Sequence, residues 1–353
     1  MPDVHVPPPD EQAGQAPPPA GPAGQVPSAT DRHNEVPLPN GPAGATGDAL
    51  RAGVADWVTS APLRALVTAF GGDWPAGPLT DVLAALDGFS ARHWDFRGGR
   101  ERPEAREPVL DPATAAQVLA AATALGLVRP AAPRLPGYAH LLVLGGLAHA
   151  CLRRVAYAAR LLRAGPTVGG EVAVLGSFRP LAPAEVRALT GVGIHGCATE
   201  VDALDAGVRR SFGVTRPVRA EGHDADHPHR AWSARTYQPV DGPPVRVLAA
   251  PSSEPDRRRA HTADTQRFWA EHVRLTTGDP VLLVTAPIYV PFQHCDALRT
   301  LAVPYGCGID TVGVDPAAAE VAGLPEPTLT PGRYLQEIRS AIRAMRALHT
   351  TLG

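Results

Sequence analysis

The stretch HLLVLGGLAHACLRRVAYAARLLRAG, residues 140–165, decides the architecture. Five residues of β type, His140 to Leu144, run into the pair Gly145 and Gly146, and a helical stretch over 147–163 follows. Similar apolar runs recur at Glu171–Leu175, Val245–Ala249, Val281–Val284 and Ile309–Val314. Helical patterns at about 182–190, 199–212, 259–275 and 291–302 separate them. Apolar runs without polar alternation, divided by helices, are the mark of a parallel sheet buried on both faces. The expectation is an α/β, Rossmann-like, doubly wound, mainly parallel sheet of about five strands. The stretch 214–242, containing GHDADHPHRAW, breaks the rhythm and reads as an insertion loop.

Upstream, residues 47–130 are helical in pattern. Leu50, Val54 and Trp57, then Leu63, Leu66 and Val67, then Val82, Leu83 and Leu86, recur at spacings of three and four. Pro62, Pro78 and Pro112 stand near segment starts, and Gly71, Gly88 and Gly126 near their ends. This is expected to be an N-terminal all-helical subdomain. Residues 1–46 carry prolines among Gly, Ala and Gln with little to bury, which reads as a disordered tail. At the other end Thr330 and Pro331 suit the N-cap and first position of a helix. Its Leu335, Ile338, Ile342, Met345 and Leu348 form one face, which closes the domain or a homodimer interface.

The chain has 353 residues, 44% hydrophobic and 19% charged, with a net charge of -2. A near-neutral balance argues against nucleic acid or an anionic membrane surface as main partner. All 33 basic residues are arginine, which removes the P-loop lysine and Schiff-base chemistry. Cys151, Cys197, Cys295 and Cys307 form no C-x-x-C pair and read as reduced thiols. The N-terminus lacks a basic and an apolar region, and the uncharged run 135–152 is broken by Pro136, Gly145 and Gly146. A cytoplasmic protein with a small-molecule ligand is expected.

Open parallel sheets bind ligands beyond the carboxyl ends of their strands. There the sequence places Gly145 and Gly146 after the first strand and Gly176, Ser177 and Arg179 after the second. Ser252 and Ser253 follow the third, and Thr285 the fourth. Arg153, Arg179 and the cluster Arg257 to Arg259, with Arg259 favoured, could clamp phosphate or carboxylate through the guanidinium fork. Glu200 and Asp264 are candidates for general base or ribose ligand, or for carboxylates that serve their own helix N-termini. His261 could act as acid or base, or be a surface histidine. Gly191, Gly193 and Gly196 spell G-x-G-x-x-G, but the preceding LAPAEVRALT is helical, so Gly191 is expected to end a helix in the left-handed conformation. His223, Asp224, Asp226, His227 and His229 have metal-ligand types without a regular spacing, and no metal is expected.

In their order, these motifs resemble the YdcF-like group, also called the SanA and ElyC type, over about residues 138–315. The carriers are VLGGLAHACLRRVAYAARLLRAG at 143–165, VLGS at 174–177, TEVDAL at 199–204, SSEPDRRRAHTADT at 252–265 and LLVTAPIYVPFQHCDAL at 282–298. An arginine of the first helix is matched by Arg153 or Arg154. The resemblance implies a pocket for a nucleotide-like or adenosyl ligand, S-adenosylmethionine included, in a soluble branch suited to secondary metabolism. It adds Thr262, Thr265, Tyr289 and Gln293 to the ligand-contacting positions. His261, Thr265, Val290 and Gln293 depart from the family's residues there. The implied chemistry is transfer or hydrolysis, or ligand sensing without turnover.

Overall fold

Every residue of the strand β2 (His140–Leu144) is buried. Leu141 and Val143 enter one core while Leu142 and Leu144 enter the other, because successive side chains of a strand leave opposite faces. The computed structural model describes residues 35–96, 98, 107–318, 321, 323, 324 and 328–353. The Pro-rich residues 1–34 lie outside them. From Glu35 onward the chain forms one unit.

In chain order the elements begin with the helices α1 (Gly47–Val58), α2 (Ala61–Ala69), α3 (Leu79–His93) and α4 (Pro112–Ala124). Then come β1 (Gly137–Tyr138), β2, α5 (Ala148–Ala164), β3 (Thr167–Val168), β4 (Val172–Gly176), α6 (Pro183–Gly191) and α7 (Glu200–Phe212). The chain continues through β5 (Arg219–His223), β6 (Trp232–Tyr237), β7 (Val245–Ala249), α8 (Thr262–His272) and β8 (Pro280–Thr285). It ends with α9 (Val290–Ala297), α10 (Val303–Tyr305), β9 (Gly308–Gly313) and α11 (Pro331–Thr351). The protein is thus α/β, with a seven-stranded sheet in the order β5-β6-β7-β4-β2-β8-β9. β7, β4, β2, β8 and β9 run parallel, while β6 and β5 add an antiparallel edge.

That edge corrects one expectation. The segment 214–242 is not wholly an insertion loop, since β6 pairs with β7 over Ser233–Tyr237 and β5 pairs with β6. All five residues of β5 are exposed, so nothing in its sequence had to be apolar. A strand covered on neither face carries no hydrophobic period to read.

α5 and α7 cover one face, burying Cys151, Leu152, Val155, Val201, Leu204 and Val208 against Val143, Val174, Val247 and Val284. The other face meets α8, α9 and α11, and α1–α4 share that core. α4 begins on the Asp111 cap, whose Oδ1 accepts from the amides of Ala113 and Thr114, both at 3.0 Å. Its neighbour α11 starts on Thr330, whose hydroxyl accepts from Arg333 N. The five apolar residues expected on one face of α11 are all buried. They are covered within the chain, where α11 packs against α3, α4 and α9.

Residues 36–41 run along this assembly. Val36 N donates to Ala124 O, and Ile309 N donates to Gly41 O at 2.8 Å. Pro39 O accepts from Nε2 of the buried His294, and burial lowers the pKa of that histidine to about 4. Glycines make room: a Cβ on Gly308 would lie 2.7 Å from Ala43 N, and one on Gly53 2.6 Å from Pro39 Cα. Gly308→Ala is therefore expected to cost about 1–3 kcal/mol by overpacking, read as a lower urea midpoint. An unchanged midpoint would mean that the 36–43 segment contributes nothing to stability.

Candidate functional site at the strand tips

The tightest turn of the site is the one read first, Gly145–Ala148 at the end of β2. A Cβ on Gly145 would sit 2.6 Å from Glu200 Oε1 and 2.8 Å from Leu175 O, so only glycine fits. The carbonyls of the turn point at cations. Arg154 Nη1 donates to Leu144 O at 2.7 Å and also to Gly145 O, and Arg179 Nη2 donates to Gly146 O at 2.9 Å. Cys151 Sγ reaches the same Gly146 carbonyl at 3.4 Å, and burial pushes its thiol up to about 12, which keeps it protonated. The Arg154 guanidinium lies over the Tyr289 ring, 5.6 Å from its centroid. Of the adjacent Arg153 and Arg154 of α5, Arg154 is thus the one at the turn. Arg153 donates to Leu324 O at 2.8 Å instead.

At the tip of β4, a Cβ on Gly176 would come within 2.6 Å of Leu204 Cδ1, so the glycine lets α7 pack close. Ser177 donates to Glu200 Oε2 from its hydroxyl at 2.6 Å and from its amide at 3.1 Å. Glu200 opens α7 but does not cap it. Asp202 does, accepting from the amide and hydroxyl of Thr199. Glu200 is 7% exposed, and among the described residues Ser177 is its hydrogen-bond partner, through Oε2. Burial raises its pKa, against the opposing pull of Ser177, Arg179 and Arg259.

Next to it, Arg179 and Glu185 form a two-bond pair, Nη1 to Oε2 and Nη2 to Oε1, each at 2.8 Å. Glu185 Oε1 also accepts from Ala148 N, the first amide of α5, and Oε2 from Ala182 N before α6. Burial opposes its ionisation, yet Arg179 and these amides hold its carboxyl below the usual range.

The tip of β7 forms a second cluster, centred on Asp264. The Asp264 carboxylate accepts from Arg258 Nη1 at 2.5 Å, from His261 N at 3.0 Å and from Ser253 N at 3.3 Å. Arg258 further reaches Ser253 Oγ at 2.9 Å and Ser252 Oγ at 3.4 Å. Although burial opposes it, Arg258 and Ser253 hold Asp264 down to about 2. A carboxylate so acidic is a poor proton acceptor near neutrality. It caps α8. His261 Nδ1 stands 3.2 Å from it, and burial lowers the pKa of that ring. Thr265 donates its hydroxyl to Thr262 O within the first turn of α8. At the tip of β8, Thr285 donates to Gln293 Oε1, so these two buried groups satisfy each other.

The structure thus gathers Gly145, Gly146, Ser177, Arg179 and Glu200 around one turn. Ser252, Ser253, His261 and Asp264 belong to the second cluster, from which Arg259 acts on Glu200 through its field. Sequence reasoning missed Glu185, and it named Arg154 and Arg258 only alongside their neighbours, without telling which of them reaches the site. The spacing of Ala182 and Glu185 before a helix was the available sign of a carboxylate at N3. Gly191 is the last residue of α6, and it is Gly193 and Gly196 that have positive φ, 77° and 74°. No strand precedes them, so the G-x-G-x-x-G spelling is a helix exit. In the 223–229 stretch, His229 Nδ1 sits 3.0 Å from Pro255 O. Among the described residues, no three His, Cys, Asp or Glu side chains group as a metal site. Nor is any helix there long and apolar enough to cross a membrane. A separate cavity of about 250 Å³ lies between α2 and α3, floored by Val67, Leu86 and Phe89.

Fold and site together define an α/β protein with a buried carboxylate held over the glycine turn of its central strand. Residues 41–126 match the family described as the Rv3785 N-terminal domain, which spans α1–α4. The uncharacterized protein Rv3785 of Mycobacterium tuberculosis (strain ATCC 25618 / H37Rv) is 37% identical over 332 residues, 86% of this chain and 91% of its own. Mb3814 of Mycobacterium bovis (strain ATCC BAA-935 / AF2122/97) is similar to the same extent. The chain belongs to the Rv3785 family. No solved structure matches it.

These findings overturn the resemblance to the YdcF-like, SanA and ElyC type, since the matching family and relatives are of Rv3785. The physical reason is that the quoted motifs are generic. Every parallel strand that turns sharply into a helix needs small residues at its tip, so Gly-Gly and Gly-Ser recur in unrelated α/β proteins.

Proposed function

We propose that the parallel core is Rossmann-like and that the strand tips bind a nucleoside-bearing small molecule, with Glu200 as its proton or hydrogen-bond acceptor. The order of the five parallel strands supports this: numbered along the chain it runs 3-2-1-4-5. In such sheets the ligand crevice opens beside the first strand, where the order reverses. That position is the Gly145–Ala148 turn. The observation that carries the reading is Glu200, nine-tenths buried, with Oε1 directed over Gly145 and bonded to no described residue. A hydroxyl or N–H of a ligand reaching this turn would find an acceptor there, since a carboxylate oxygen takes more than one hydrogen bond.

Burial also suits Glu200 to chemistry. A carboxylate raised in pKa accepts a proton more readily near neutral pH than Asp264 does. Ser177 orients it, and Arg179 and Arg259 stabilise its ionised form. Transfer or hydrolysis begun by proton abstraction from a hydroxyl or amine is the reaction type this geometry supports best.

The test is a thermal-shift panel on the full chain with adenosine, S-adenosylmethionine, AMP and NAD. A ligand that binds only the folded state raises the melting temperature, by about 2.7 kcal/mol of added stability at 100 times its Kd. A rise with a nucleoside compound, lost in Glu200→Ala, is expected. No rise with any of the four at millimolar concentration would reject the nucleoside reading.

A further inference from the structure

We infer that Glu185 makes the strand-tip site selective against phosphate: the ligand meets the N-terminus of α5 with an uncharged or cationic group. The inference rests on the site proposed above. A helix N-terminus beside a glycine turn is the usual seat of a phosphate, because its amides and dipole favour an anion. Here an anion is built in. Glu185 Oε1 accepts from Ala148 N at 2.8 Å, and the same carboxylate takes both arms of Arg179, a side chain that could otherwise clamp a phosphate.

The pair is not a loose surface contact. Its side chains are 14% and 7% exposed, and Arg179 is further anchored on Gly146 O. A phosphate arriving at Ala148 would have to displace Glu185 from both partners or lie beside a second negative charge. Like charges at such a distance repel strongly where water is excluded. Glu200, the buried carboxylate over Gly145, adds a further negative group to the same turn. Its Oε1 over Gly145, bonded to no described residue, offers a ligand an acceptor at the same turn. With Arg179 engaged by Glu185, and Arg154 by the carbonyls of Leu144 and Gly145, the two carboxylates favour hydroxyls, amines or a cationic centre over a phosphoryl group.

The specificity is therefore set by one residue, and its removal should reverse it. In Glu185→Ala, Arg179 loses its counter-ion and Ala148 N its acceptor, so a phosphate site is created. Calorimetry on the full chain with inorganic phosphate, adenosine and AMP tests this. The wild type should bind no inorganic phosphate up to 10 mM, on the order of the weak end of measurable affinity. It should also bind adenosine at least about tenfold tighter than AMP, a difference of about 1.4 kcal/mol.

Glu185→Ala should bind inorganic phosphate at least about tenfold more tightly than the wild type and lose the preference for adenosine. Should that variant fail to fold, Glu185→Gln keeps an acceptor for Ala148 N and removes the charge that neutralises Arg179, and a smaller gain, through Arg179 alone, is expected. Phosphate binding by the wild type, or folded variants that gain none, would overturn the inference. The two readings separate cleanly. Nucleoside binding without the gain sinks only the role of Glu185, and a gain without nucleoside binding leaves that role and rejects the nucleoside site.

Discussion

Replacing Glu200 by glutamine is expected to make the protein more stable at pH 8 and unable to use its ligand. Folding raises the pKa of this carboxyl because the surroundings exclude water. The stability tied to its neutral form is fully present below the ordinary value of 4.5 and is lost as pH rises through the higher folded value. Above that point the native state holds a buried charge whose direct partner is Ser177, with Arg179 and Arg259 acting at longer range and the buried Cys151 beside it. Glutamine keeps an oxygen for both Ser177 donors and carries no charge. A gain on the order of 1 kcal/mol at pH 8, shrinking to nothing near pH 4, is the expected result. Ligand affinity should fall about 10- to 100-fold, the worth of a hydrogen bond to a charged group. Melting curves at the two pH values give the first number and calorimetry the second. A variant less stable than the wild type at pH 8 would show that the charge is well paired and the site is structural.

Asp264 should behave in the opposite way, although it looks equivalent in the sequence. Asp264→Ala removes the buried partner of Arg258, leaving it only the half-exposed Glu254 at 3.1 Å, and the cap of α8 at once. Breaking a buried ion pair from one side costs about 3–5 kcal/mol. The urea midpoint should drop accordingly. The pH dependence also inverts. Folding lowers the pKa from 3.8 to about 2, so its contribution is present above pH 4 and disappears as pH falls toward 2. That window is worth about 2 kcal/mol by linkage. The acid limb of the wild-type stability curve should be visibly steeper than that of Asp264→Asn. A loss under 1 kcal/mol in Asp264→Ala would mean that Glu254 suffices for Arg258 and the cluster is not a stabilising one.

These two residues also show what could be read and what could not. Both stand within the first turn of a helix that follows a strand tip, and both were assigned the same pair of roles. The difference lies in their neighbours. Arg258 is close in sequence to Asp264, but only the fold of the 252–262 loop turns its guanidinium onto that carboxylate. Among the described residues Glu200 bonds to no arginine: Arg179 is held by Glu185, a contact across the start of α6, and acts on Glu200 only through its field. No spacing rule states which of two carboxylates an arginine will choose. The same holds for Arg153 and Arg154, adjacent residues of which one supports the turn and the other reaches Leu324.

The exposed edge strand shows a different limit. β5 buries nothing, so its formation depends on the backbone of β6 beside it and not on its own side chains.

By itself the sequence determined the strands and helices of the parallel core and the small residues at their tips. It did so because a buried strand must be apolar throughout and a sharp turn must be small, and both demands act on neighbouring residues. It also determined the apolar face of α11, through spacings of three and four. The tertiary structure decided that α1–α4 share their core with α11 and one face of the sheet. It decided that β5 and β6 extend the sheet, and that Glu185 accepts from the first amide of α5. Each of these is a contact between residues distant in the chain, selected by packing and by the cost of leaving buried charge unpaired.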